Sequence, residues 1–222
     1  MTQHEEALES FIGKWRARWP EWRIAEVFVP ASQRVTALAW FALLQELTDA
    51  AWSGNDPTPG LAKLAWWQEE LQGWSQGRRR HPLGTVLQSQ PAPWTGLAHA
   101  LPGLRNLRVL PQDIGDSFAG LRSFAESAVA IEANLFDDDP LRGNLSLGSE
   151  LIAASLLALH PGVLGGAHDA LRESLSSQWP APLAPRARRI VAALARARLA
   201  RHLSQPLSQG RVLWIAWRAA RH

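Results

Sequence analysis

Acids, histidines and arginines are the side chains that would carry chemistry in this chain, and their spacing limits what that chemistry can be. Asp137, Asp138 and Asp139 stand in a row. Adjacent residues on a helix diverge by about 100°, whereas a shared magnesium wants carboxylates one turn apart. With Pro140 next, the triplet reads as a solvated loop or a helix cap. Asp113 and Asp116 do have a three-residue spacing, but Gly115 lies between them, and Asp116 suits an N-cap before "SFAGL". The seven histidines offer no HExxH and no pair on one helix face, so neither a zinc site nor a Ser-His-Asp triad can be built from them. The absence of cysteine excludes disulfides, thiolate metal sites and a cysteine nucleophile, and fits a reducing compartment. Phosphate-cradling glycine loops and a G-x-S-x-G elbow are missing. What remains is "RRRHP", Arg78 to Pro82. Arg78, Arg79 and Arg80 close to a helix start would favour an oxyanion, or they form a solvated turn.

The elements that must position these groups are helical. Leu8, Phe11, Ile12, Trp15 and Trp19 fall on one apolar stripe that Pro20 ends, and "EWRIAEVF" reads as one or two further turns. Pro30 starts a longer helix, apolar on most sides and therefore central. "SGNDPTPG" (53–60) is a loop. The next helix carries Leu64, Trp67, Leu71 and Trp74 on one face, with Lys63, Glu69 and Glu70 off it; Gly77 stops it. A short helix follows Pro82, residues 91–111 read as loop and broken helix, and a helix runs from about Asp116 to Leu135. Three more helical segments and a last, partly amphipathic one (210–222) complete the chain. Twelve tryptophans at helical spacing, with no tyrosine, read first as core, because an indole buries much apolar area; Trp66, one step off its stripe, lines either a cavity or a partner surface. Strand alternation never persists. The expectation is an all-α, single-domain bundle over residues 1–222, of roughly eight to ten helices.

Charge is uneven along this bundle. Residues 1–173 hold 14 basic and 20 acidic side chains, while residues 174–222 hold nine arginines and no acid. The basic C-terminal region, 183–222, either meets an acidic partner, anionic lipid or nucleic acid, or pairs with the acidic remainder of its own chain. In the basic helix 186–203, Arg198 and Arg201 fall near Ile190 and Leu194, which implies a buried ionic partner or a helix leaving the core. Its dispersed arginines lack a helix-turn-helix pattern, so nucleic acid is not the expected partner. The opening "MTQHEEALES" lacks an apolar segment of the signal-peptide kind, and no run approaches a membrane span. A cytoplasmic location, with or without peripheral membrane contact, is expected.

Between Val27 and Leu87, "VFVPASQRVTALAWFALLQELTDAAW", a loop, and "LAKLAWWQEELQGWSQGRRRHPLGTVL" resemble the N-terminal half of the squalene/phytoene synthase family. The features carrying the resemblance are Pro30, Arg34, the helix through Glu46 and Asp49, "WWQEEL" (66–71) and His81-Pro82. "LRSFAESAVAIEANLF" (121–136) is similar to the family's next helix. The resemblance implies the isoprenoid synthase fold, a helical bundle around a central cavity. It also implies head-to-head joining of prenyl diphosphates by magnesium held between two Asp-rich helices, because bridging metals neutralise the departing diphosphate.

The chain departs from the family at those acids. Where the family has Asp-Asp-x-x-Asp, it reads Thr48, Asp49, Ala50, Ala51, Trp52; a family arginine is replaced by Gln45, and "ELIAASLLALH" offers Glu150 alone. The pattern is closer to a branch without the Asp motifs, similar to the mitochondrial complex I assembly factors and their bacterial relatives. That implies a pseudoenzyme: a lipid- or protein-binding or assembly module, with no confident catalytic residue (Glu46 and Asp49 being remnants) and no resident metal or cofactor. Cavity or ligand candidates are Arg34, Gln45, Trp52, Trp66, Trp67 and Glu70, with Arg78, Arg79 and Arg80 for an anionic group. An isoprenoid or other lipid ligand or a protein partner is implied. The alternatives are an active prenyltransferase using magnesium in an altered site, and a basic adaptor for membrane or nucleic acid.

Overall fold

A computed structural model describes residues 3–107, 113–136, 145–160, 168–200 and 207–221, and every regular element among them is helical. The α-helices are α1 (Gln3–Arg18), α2 (Trp22–Ala25), α3 (Arg34–Trp52), α4 (Thr58–Ser75), α5 (Gly84–Leu87), α6 (Trp94–Asn106), α7 (Ile114–Leu135), α8 (Leu145–Leu159), α9 (His168–Ser177), α10 (Arg186–Leu199) and α11 (Gln209–Arg221). Because α2 and α5 are single turns, the bundle is the expected one. Short 3₁₀ turns at Glu26–Phe28 and Ala31–Gln33 lead into α3.

Helix α3 is the central post, with twelve of its nineteen residues buried. It packs on α1, α4, α5 and α6, while α7, α8 and α10 close the far side and α11 lies on α10 and α2. Two aromatic clusters fill the interior. Trp15, Trp22 and Phe41 meet with ring centroids 5.3 to 5.8 Å apart. Trp67, Trp74, Trp94 and Trp40 form a second chain, its closest contact the edge-on pair Trp74–Trp94 at 5.0 Å. Edge-on and offset stacks suit the ring quadrupole, so these contacts add to the area the indoles bury.

Three boundaries differ from expectation for identifiable reasons. The loop after α3 is shorter than "SGNDPTPG" implies: Asp56 Oδ1 accepts from the Thr58 N–H, and Pro59 is accommodated in the first turn of α4, where its missing N–H costs nothing. Gly60 lets the two helices touch there, since a Cβ would stand 2.1 Å from the Ala50 carbonyl oxygen. Residues 94–106 form one helix despite Pro102, because Trp94, Leu97, Ala98, Leu101 and Leu104 make an unbroken buried stripe. Helix α7 is capped by Asp113, whose Oδ1 accepts from the Asp116 N–H at 2.8 Å; Asp116 therefore sits inside the first turn rather than at the cap. Gly77, at φ +76°, ends α4 as read: Arg78 N–H donates to the Gly73 carbonyl and Gly77 N–H to that of Trp74, a left-handed closure that suits glycine.

Candidate functional site

A cavity of about 260 Å³ opens between α1, α3, α8 and α10, one turn from Asp49. Its apolar wall includes Trp15, Trp19, Phe41 and Leu44; its polar groups are Arg18, Gln45, His160, Arg188 and Arg198, with Thr48, whose hydroxyl donates back to the Leu44 carbonyl. Each guanidinium is fixed from behind by a carboxylate. Arg188 is buried and donates through Nε to Glu132 Oε1 at 2.9 Å, with Nη2 reaching the same oxygen; the Trp40 indole N–H adds a third donor at 2.7 Å. Arg198 grips buried Glu21 with both arms, Nε on Oε1 at 3.0 Å and Nη2 on Oε2. Arg18 donates to Asp49 Oδ1 at 2.7 Å near the surface. Phe41 and Trp19 support the Arg188 and Arg198 guanidiniums, whose centres lie 4.9 and 4.3 Å from the ring centroids. None of Glu21, Asp49 and Glu132 is among the lining residues, so the cavity sees cations and the carboxylates stand behind them.

Two further groups complete the wall. The Gln45 Oε1 is buried and has no hydrogen-bond partner among the described residues, an acceptor left for a ligand hydroxyl or a water. Burial drags the His160 imidazole down to about 4; nearby Asp49 opposes the shift and Arg18 adds to it. It is therefore neutral at physiological pH, edge-on to Trp52 at 5.1 Å. Trp52 donates its indole N–H to the Leu104 carbonyl, which places it behind His160 rather than on the wall.

The other sequence candidates lie elsewhere. Glu46 is bonded to Lys63 of α4 at 2.6 Å, so the two remnant acids face different cations. Arg34 donates to the carbonyls of Val29 and Val27 at 3.0 and 3.2 Å and thereby caps the 3₁₀ turn. Trp66 and Trp67 pack against His81, with centroids 5.9 and 4.5 Å away, and Phe11 closes the same box. Glu70 stands off the apolar stripe in sequence, yet it is buried. It turns into the exit of α4, where Oε1 accepts from the N–H groups of Arg80 and His81 and from the Trp74 indole, and Oε2 from Arg80 Nε. Burial pushes its carboxyl up, but these donors outweigh that and hold it below the usual range. Arg78 and Arg79 bind Gln76 and Gln88 and line, with Arg80 and Glu69, a separate surface cleft of about 330 Å³. Asp137 to Asp139 and Arg201 lie outside the described residues.

Sequence reasoning brought Gln45 to the cavity and left out Arg18, Arg188 and His160. Arg198 carried a legible signal, an arginine beside an apolar stripe, and Glu21 is the buried ionic partner this implied. Arg188 carried none, because nothing in "RARR" tells an inward arginine from its neighbours. Among the described residues, no three carboxylate or imidazole groups gather around one point. No family model, curated protein or solved structure matches the chain.

Proposed function

We propose that this chain is a non-catalytic helical protein of squalene/phytoene synthase type that holds a single anionic isoprenoid or similar lipid in the cavity beside Asp49. The observation carrying this reading is the inverted polarity of that cavity: guanidinium groups face inward and their carboxylates are turned away. A metal-assisted diphosphate site needs acids around the hollow to grip the cations. Arginines facing the hollow would hold the phosphate directly, through charge-assisted and often bidentate hydrogen bonds, with no metal between. The aromatic wall supplies the apolar side that an isoprenoid chain needs. Size points the same way: at about 260 Å³ the cavity is below the ~300–1,000 Å³ usual for drug-sized ligands, too small to align two prenyl diphosphates. Glu46 and Asp49, the remnants an altered metal site would use, are each bonded to a cation.

Calorimetric titration with geranyl diphosphate tests the reading. Binding is expected with the same affinity in magnesium and in excess chelator, with the lipid recovered unchanged. Gln45→Glu, which puts a negative charge on the wall without breaking an ion pair, is expected to weaken binding about tenfold or more. Magnesium-dependent release of diphosphate would replace this reading with an active prenyltransferase, and no binding in either buffer would refute it.

A further inference from the structure

Helix α11 buries Val212, Ile215 and Ala216 and turns a very different face outward. Leu213, Trp214 and Trp217 are 44%, 55% and 45% exposed, and they share that face with Arg211, Arg218 and Arg221. All twelve tryptophans lie in the described residues, and these two are the exposed ones. Each carries a guanidinium one turn along: Arg218 lies 5.4 Å from the Trp214 ring centroid and Arg221 4.6 Å from that of Trp217. The pattern continues across a groove of about 410 Å³ between α10 and α11, where half-buried Trp179 is overlain by Arg196 at 5.8 Å. None of Arg196, Arg211, Arg218 and Arg221 is within ion-pair reach of a carboxylate among the described residues, although Arg188 and Arg198 of the same region are paired inward.

We infer that this face is a docking surface for an anionic lipid bilayer, on which α11 lies flat. Indoles favour the depth of lipid headgroups, where one edge is apolar and the other wet. Arginines beside them reach the phosphates while their stems cover apolar surface. Its inner stripe is committed to the protein and its outer face carries three arginines, so it lies on the surface rather than in the hydrocarbon. Arg189 locks it there, donating to the Ala219 carbonyl at 2.9 Å and to Ala184 at 2.7 Å. A second copy is a poor occupant, because pairing this face with itself would oppose arginines with arginines and bring no acid from residues 174–222.

Flotation of the full chain with vesicles tests the assignment. The protein is expected to float with phosphatidylcholine containing about one-third phosphatidylglycerol, not with phosphatidylcholine alone, and to be released as salt rises. Arg218→Gln with Arg221→Gln is expected to lower partitioning about thirtyfold, the product of two headgroup contacts. Trp214→Ser with Trp217→Ser should lower it at least tenfold. Both pairs are exposed, so unchanged helicity and melting temperature are the control. Gln45→Glu should float like the parent, which separates this surface from the cavity. Equal binding to neutral vesicles, no flotation, or flotation indifferent to both pairs would overturn the inference. So would a dimer in solution that the tryptophan pair dissolves, or duplex DNA binding without vesicle binding.

Discussion

Glu70 accepts four hydrogen bonds while almost wholly removed from water, and three of the donors belong to the turn that leaves α4. Replacing it with glutamine removes the carboxylate charge that the four donors share and sets an amide NH2 at the Oε2 position, against the Arg80 guanidinium, which loses its acceptor. Glu70→Gln is expected to cost about 2–3 kcal/mol, measured by urea denaturation, and to loosen residues 78–82 in hydrogen exchange. A sequence reading sees two adjacent glutamates and has no means of knowing which turns inward; "WWQEEL" carries the stripe but not the sharp exit that recruits Glu70. Arg34 lies away from the cavity. The family resemblance implies a ligand role for it, while its Nε and Nη2 donate to the carbonyls of Val29 and Val27.

The helices themselves were largely legible, because each buries a stripe at helical period. Leu64, Trp67, Leu71 and Trp74 could be read from residue types alone, and all four are buried. Legibility failed where a tertiary contact overrode a local signal. Pro102 suggests a break, yet α6 continues because its buried face is worth more than one missing hydrogen bond. Gly60 looks like loop composition and is instead the contact point of α3 and α4. Gly60→Ala would drive a Cβ into the Ala50 carbonyl, and backbone must move to relieve it. The expected loss is about 3 kcal/mol, at the upper end for overpacking, read as a lower thermal midpoint. The nearby Gly54→Ala, strained by its φ of +76° but meeting only the Asp56 carbonyl oxygen at an ordinary 3.9 Å, should cost about 1 kcal/mol.

At the scale of the molecule, two half-buried imidazoles set the response to acid. Burial brings His81 and His160 each down to about 4; around His81 the carboxylates of Glu46 and Glu70 oppose the shift, and Lys63 and Lys14 assist it. The unfolded chain takes up these protons near 6.5 and the folded chain only near 4, so protons favour unfolding in between. The stabilisation is complete above about pH 6.5 and is lost as the pH falls through 4. For His160 alone it amounts to on the order of 3 kcal/mol. The thermal midpoint should therefore fall between about pH 7 and about pH 5, and His160→Leu should flatten that fall. Glu70 acts at lower pH: its contribution persists above the ordinary carboxylate value of 4.5 and disappears below its lowered one. The cavity whose wall His160 completes could not be assembled from sequence, since its cations come from helices at opposite ends of the chain.

The partners Glu21 and Arg198 stand 177 residues apart. During synthesis, the acid leaves the ribosome long before the arginine that answers it, and contacts of such long range form slowly. The early helices must wait with a carboxylate destined for burial still in water. The cavity that Arg198 lines thus cannot close until α10 has been made.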